Sequence, residues 1–294
     1  MTTPHRFAAH TAYTDPGRHA ALLREPVGIE EVCRTAGNLI LHYRAESNLL
    51  REDRKHEVNA RWVSVILELD QQRHPGSLLA PRPPGDRVPG CCRDHSLFTV
   101  AALREQGIPA RTRVGFAGYF GPGFHSDHVV VEWWQGSRWQ RSDPELQQQD
   151  HPFDVFDLAV GEGAPFPTAA EVWTGYRQGR LDPERYGVFP GSEHVGPPFI
   201  KRYVFLEVNH RYGNELLLWD EVGTGVSDEE TDRIAALSIK ADAGDEGAET
   251  ELEQRFRGDT RLWPTGTVTQ LSPYGEPPVT VDLTRAAAPS GVAG

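Results

Sequence analysis

The chain has 294 residues, a formal net charge of −12 from 42 acidic and 30 basic side chains, and a hydrophobic share of 38%. That length can bury a full core, while the negative balance excludes general nucleic-acid binding, which needs a positive field. No apolar run reaches the roughly 18 residues of a membrane helix, and the opening MTTPHRFAAHTAYTDPG lacks the charged head and apolar stretch of a secretory signal, so a cytoplasmic protein is expected.

In chain order, EEVCRTAGNLILHYRA places Val32, Ala36, Leu39, Ile40 and Tyr43 at helical spacing, and NARWVSVILELDQQR does so with Trp62, Val65, Ile66 and Leu69. These two helices are expected to pack together. The segment from Pro75 to Gly90 is dense in proline and glycine and can continue neither helix; it delivers the chain to Cys91 and Cys92. A third helix runs from Cys92 to Gln106, with Leu97, Val100, Ala101 and Leu103 on one face and Gly107 as its left-handed cap. Strands follow at 111–120, 129–134 and 138–141, the first broken by Gly121, Pro122 and Gly123.

Beyond Asp150 helices are expected at 168–178 and 199–218, and the acidic ADAGDEGAETE reads as a solvated loop or linker. The proline- and glycine-rich end finishes in AAAPSGVAG, expected to be mobile. The sequence therefore divides into a core over 1–150 and an extension over 151–294 that would cover the active site.

The three cysteines, Cys33, Cys91 and Cys92, are too few for a disulfide framework or a zinc cage, so free thiols are expected. Cys92 opens a helix, where unpaired amide donors and the helix dipole favour a thiolate and can also hold an oxyanion. Cys91 stands one residue too early for that argument, and Cys33 sits on a helix face as a small apolar residue.

A partner for Cys92 comes from the hairpin. If Gln135 and Gly136 form a two-residue turn, Trp134 pairs with Ser137, and counting outward brings His128 opposite Asp143. Their β-carbons would lie about 4.5 to 5.5 Å apart, so that the carboxylate orients the imidazole. His128 would then take the Cys92 proton and Asp143 would fix the tautomer. His95, one turn beyond Cys92, lacks an evident orienting carboxylate, and His125, Asp127 and His128 lack a third well-spaced metal ligand. Asp94 reads as ionic support for the helix start. No metal or cofactor is called for.

The run CRDHSLFTVAALREQGIPARTRVGF, then DHVVVEWW, then RWQRSDPEL, resembles the core of the transglutaminase-like superfamily. In that superfamily a cysteine opens a helix, a Gly-Ile-Pro-Ala-Arg stretch enters a strand, and histidine and aspartate follow on two strands. The resemblance carries those roles onto Cys92, His128 and Asp143 and prefers Cys92 over Cys91. It implies an α+β fold: N-terminal helices and the nucleophile-bearing helix packed on an antiparallel sheet, as in cysteine proteases, with a mainly helical C-terminal extension. It also implies acyl transfer through a covalent thioester.

More narrowly, the size and triad order are similar to those of the thiol-dependent Dieckmann cyclases, which release tetramate and pyridone antibiotics and related natural products from carrier-protein thioesters. The implied partner is an acyl thioester on a carrier protein, and Arg111 and Arg113 are the candidate basic docking patch. An amidase, a peptidase, an amide-forming acyltransferase and a non-catalytic binding module of the same fold are the alternatives.

Overall fold

The computed structural model describes residues 4–161 and 163–284; the AAAPSGVAG tail lies outside the described residues. In chain order it contains α1 (Gly28–Leu39), β1 (Ile40–His42), α2 (Val63–Arg73), β2 (Val88–Gly90), α3 (Cys92–Glu105), β3 (Ala110–Ala117), β4 (His125–Trp134) and β5 (Trp139–Ser142). There follow α4 (Ala169–Arg177), β6 (Tyr186–Gly187), α5 (Gly196–Arg211), α6 (Asp228–Asp242), α7 (Glu246–Arg257), β7 (Thr267–Gln270) and β8 (Val279–Asp282). The chain forms two compact units: Pro4–Thr112 with Val130–Leu158, which carries the cysteines, and Arg113–Val129 with Ala159–Thr284. A single boundary after Asp150 was the sequence expectation; the units instead interleave along the chain.

In the cysteine unit, α3 is the central element, with every residue from Cys92 to Arg104 buried. Gly107 at φ +76° ends it, with Ile108 N–H donating to the Leu103 carbonyl at 2.9 Å, a left-handed cap that only glycine adopts without strain. Helix α1 packs mainly on α3, whereas α2 packs on the 3-10 segment Gly17–Arg24 and on α3, so the two do not pack mainly on each other. The first helix stops at Leu39, where the β-branched Ile40 leads into β1, and β1 pairs in parallel with β2 through Ile40 and Val88. Helix α2 buries Val63, Ile66, Leu67 and Asp70 rather than the face predicted through Trp62 and Leu69. The reason is Asp70, whose two oxygens accept from Arg82 Nε and Nη2 at 2.9 Å each, so a buried charged pair overrides the apolar pattern. Val100 and Leu103 meet Ala110 and Val131 to close this core.

The main sheet orders β3, β4 and β5, with β6 also paired to β4. Because β4 runs antiparallel to β5 and parallel to β6, the expected purely antiparallel sheet is in fact mixed.

The second unit is a helical cluster in which α4, α5 and α6 pack on one another and α7 packs on α6. Thr168 and Glu171 form a capping box at the start of α4, the Thr168 amide donating to Glu171 Oε2 at 2.7 Å. Gly115 lets the segment before α4 approach β3: a β-carbon there would stand 2.3 Å from the Pro167 carbonyl oxygen. Helix α5 ends at Arg211, earlier than its apolar residues suggest.

The acidic segment expected to be a solvated linker forms the end of α6, the short connection after it and the first half of α7. Ser227 and Asp245 cap these helices, accepting from the amides of Glu230 and Ala248, and acidic first turns complement the helix dipole. Ile234, Ala235 and Ala241 of α6 and Ala248, Leu252 and Phe256 of α7 supply the buried faces. Between α5, α6, α7 and β3 lies an ionic cluster in which Arg113, Glu207, Arg211 and Glu249 are buried and Asp242 reaches solvent. Arg113 donates from Nε to Glu207 Oε1 at 3.1 Å and from Nη2 to Asp242 Oδ2 at 2.7 Å, and Arg211 bridges Asp242 and Glu249.

Candidate active site

The nucleophile segment is fixed by local chemistry. Gly90 passes so close to β1 and α3 that a β-carbon would lie 2.9 Å from both Ile40 Cγ2 and Asp94 Oδ2. The next residue, Cys91, is the extended N-cap of α3, and Cys92 is the first helical residue, as the sequence predicts. Cys91 and Asp94 form the reciprocal capping arrangement, with Cys91 N–H donating to Asp94 Oδ2 at 2.8 Å. Asp94 also accepts from Arg93 Nη1 at 2.8 Å, and Arg93 Nη2 reaches the Arg61 carbonyl at 2.7 Å. Asp94 therefore supports the helix start, as its position suggested, from the N3 site of a capping box whose N-cap is Cys91.

All three thiols are buried. At Cys91 the hydrogen bond with Cys92 pulls the thiol down, but burial and the charges of Asp94 and Glu145 outweigh it and the net direction is up. Burial, with Asp143 and Glu30 adding repulsion, raises Cys33 strongly and leaves it an unreactive thiol.

Asp143 is fully buried at the end of β5. Its amide donates to the Val155 carbonyl at 2.9 Å and its Oδ1 accepts from Glu145 N–H at 3.0 Å, so the carboxylate is oriented by the turn that follows it. The hairpin before it differs from the predicted one. Trp134 pairs with Trp139, not Ser137, because the turn centres on Gly136 and Ser137, with Gln135 N–H donating to the Arg138 carbonyl at 3.0 Å. Gly136 at φ +86° takes the first central position, which a Gly-Ser turn favours. In this register the position opposite Asp143 is Val130, not His128, so direct opposition of His128 and Asp143 is withdrawn. The displacement is two residues, which leaves the side-chain alternation of the strands unchanged.

His128 lies in the other compact unit, on the N-terminal half of β4, and is 2% exposed. Aromatic rings surround it edge-on: Phe120 at 4.9 Å and 80°, Tyr119 at 6.1 Å and 89°, and Phe166 at 6.3 Å and 72°. Phe120 is half exposed, so this imidazole has an apolar wall with one ring facing solvent. The neighbouring His125 and Asp127 have other roles. Asp127 Oδ2 accepts the Tyr203 hydroxyl at 2.5 Å. His125 stacks on Tyr186 at 4.5 Å, and burial together with the Arg185 charge lowers its pKa. Among the described residues no group of three or more His, Cys, Asp or Glu side chains is arranged to hold a metal ion.

Two expectations fail here. His95 does have a carboxylate: its Nδ1 lies 3.1 Å from Glu145 Oε1 and 3.0 Å from the Cys91 carbonyl oxygen. Glu145 is brought there by the Asp-Pro turn after β5, which no residue spacing in the sequence encodes. Second, Arg111 and Arg113 form no exposed basic patch. Arg111 is buried against Glu132 Oε2, at 2.8 Å from Nε and 2.6 Å from Nη2, and Arg113 belongs to the ionic cluster of the helical unit.

Comparison with known proteins bears on the same segment. Residues 86–144, a minority of the chain, match the model of the transglutaminase-like superfamily. Among curated proteins none matches. A solved structure from Cytophaga hutchinsonii with a provisional cysteine-protease assignment is similar at 17% identity and a TM-score of 0.33, over 47% of this chain and 40% of that one. No described helix is long and apolar enough to cross a membrane. The matched residues span the cysteine helix, the three strands after it and Asp143, so the similarity to the transglutaminase-like superfamily coincides with the candidate site itself.

Proposed function

We propose that the protein is a thiol enzyme that transfers an acyl group through a covalent Cys92 thioester. The observation that carries the proposal is the placement of Cys92 as the first residue of a buried, capped helix within the segment that matches the superfamily. In this reading His128 takes the thiol proton, and the sulfur attacks the acyl carbonyl and displaces its leaving group, which departs with that proton. Amide donors of the first turn of α3 stabilise the oxyanion. Asp143 holds the imidazole tautomer and stabilises the imidazolium.

The narrower form of the proposal is a Dieckmann-type closure. His128, neutral again after protonating the leaving group, takes the acidic C–H proton between two carbonyls of the bound chain; the resulting carbanion attacks the thioester carbonyl, breaks the C–S bond and leaves a tetramate or pyridone ring and the Cys92 thiolate beside the His128 imidazolium. The apolar wall of Phe120, Tyr119 and Phe166 around His128 supports it, because ring closure competes with hydrolysis and gains from excluded water. A carrier protein as donor would need a docking surface other than Arg111 and Arg113.

Incubation with a β-ketoacyl-aminoacyl thioester, followed by mass analysis of the released product, tests this reading. A ring supports the cyclase, the free acid means hydrolysis, and an amide formed with an added amine means aminolysis. No turnover, with Cys92 no more reactive toward iodoacetamide than Cys33, would mean a non-catalytic module.

A further inference from the structure

The side chains around the start of α3 include one charge pair that the triad does not use. Glu145 stands between two histidines, with its Oε1 3.1 Å from His95 Nδ1 and 3.8 Å from His42 Nε2. The three side chains are 13%, 5% and 15% exposed, so solvent screens them little. The tautomer of His42 follows from its neighbours: its Nδ1 faces the amides of Arg44 at 3.3 Å and Ala45 at 3.0 Å, so Nδ1 accepts and Nε2 carries the proton toward Glu145. His95 is opposite in character, because its Nδ1 faces two acceptors, Glu145 Oε1 and the Cys91 carbonyl.

The titratable groups facing His95 are Glu145 from the turn after β5, Asp94, Cys91 and Cys92 from its own helix and cap, and His42 from β1 beyond Glu145. Burial alone would lower its pKa, but the Glu145 carboxylate, followed by the Cys91 carbonyl and Asp94, outweighs burial and raises it. Cys92 and His95 are three residues apart on one helix, which puts their β-carbons about 5 to 6 Å apart.

We propose that His95 and Glu145 are positioning residues for Cys92: a buried imidazolium–carboxylate pair, steadied by His42, that pins the Cys91 carbonyl and holds positive charge beside the Cys92 thiol. This rests on the reading of Cys92 as the nucleophile. The imidazolium favours the thiolate, whereas Glu145 alone opposes it, so the two charges act as a unit. Loss of His95 leaves the carboxylate uncompensated next to the thiol. Loss of Glu145 leaves a neutral His95 and no charge of either sign. The double change is then equivalent to loss of Glu145, an order of effects that simple loosening of the helix start does not produce.

The experiment measures Cys92 alkylation by iodoacetamide in a Cys91→Ser background, which keeps an N-cap side chain, with peptide mass mapping and Cys33 as internal control. At pH 7, His95→Gln slows Cys92 by about tenfold and Glu145→Gln by about threefold, and the double variant equals Glu145→Gln within about twofold. At pH 10, where the thiol ionises regardless, the differences fall to within about twofold. A Cys92 rate unchanged in His95→Gln, or slowed equally at pH 7 and pH 10, overturns the inference and leaves Cys92 as nucleophile. A Cys92 no faster than Cys33 in the parent protein overturns both readings. If His95→Gln does not fold, ring-proton NMR of the parent decides: titration of His95 above the ordinary 6.5 supports the pair, and titration below it overturns the inference.

Discussion

The molecule buries charge in two places, with different consequences. In the helical unit, Arg113 and Arg211 are matched to Glu207, Asp242 and Glu249. Arginine stays charged at any accessible pH and forks onto carboxylates, so this cluster holds β3, α5, α6 and α7 in register. At the start of α3 the groups are two buried thiols, the buried His95 and Asp94, and the half-buried Glu145 and His42. Burial makes both clusters sensitive to change. Only the second can couple protonation to a nucleophile.

The largest effects expected are on chemistry. Cys92→Ala abolishes acyl-enzyme formation from an acyl thioester while thermal unfolding changes little; retained turnover would move the nucleophile to Cys91. Asp143→Asn slows acylation by about two orders of magnitude or more. It still folds, because the asparagine oxygen can accept the Glu145 amide as Asp143 Oδ1 does. Circular dichroism with a single-turnover assay checks this, and wild-type acylation would remove Asp143 from the triad.

The next effect belongs to the other cluster. Arg113→Ala leaves the buried Glu207 carboxylate without the guanidinium it pairs with and destabilises the protein by about 3–5 kcal/mol, read by urea denaturation. A loss below about 1 kcal/mol would mean that the cluster is solvated.

A smaller effect separates the clusters by pH. His95 has a folded value raised above the ordinary 6.5, so the stability it contributes is fully present below pH 6.5 and is lost as pH rises through the folded value. The stability gap between the parent and His95→Gln is therefore wider at pH 6 than at pH 9. A gap constant across that range would contradict the ion pair. Smallest of all, Cys91→Ala removes only a cap side chain, on the order of 0.5 kcal/mol, and leaves most activity.

Much of the cysteine unit is legible in the sequence because its signals are local. Cys92 as the first helical residue and Gly107 as the cap follow from apolar spacing and one glycine. The hairpin register was legible too, but only when the turn is placed on Gly136 and Ser137, where glycine supplies the positive φ. Tertiary pairings were not legible. Nothing in the segment around Asp70 announces Arg82, and nothing in His95 announces Glu145, because such partners are set by how loops return rather than by spacing. The acidic stretch before Arg257 misleads for a related reason. Its charge looks solvated, while the caps Ser227 and Asp245 and the apolar residues that follow each of them determine two helices.

The most direct test of the central claim is peptide-mapped mass spectrometry of the protein after brief exposure to an acyl thioester. The account predicts one acyl group, on Cys92, absent in Cys92→Ala and unaffected by Cys33→Ala. An acyl group on Cys91 or Cys33, or none on any thiol while product accumulates, would contradict it.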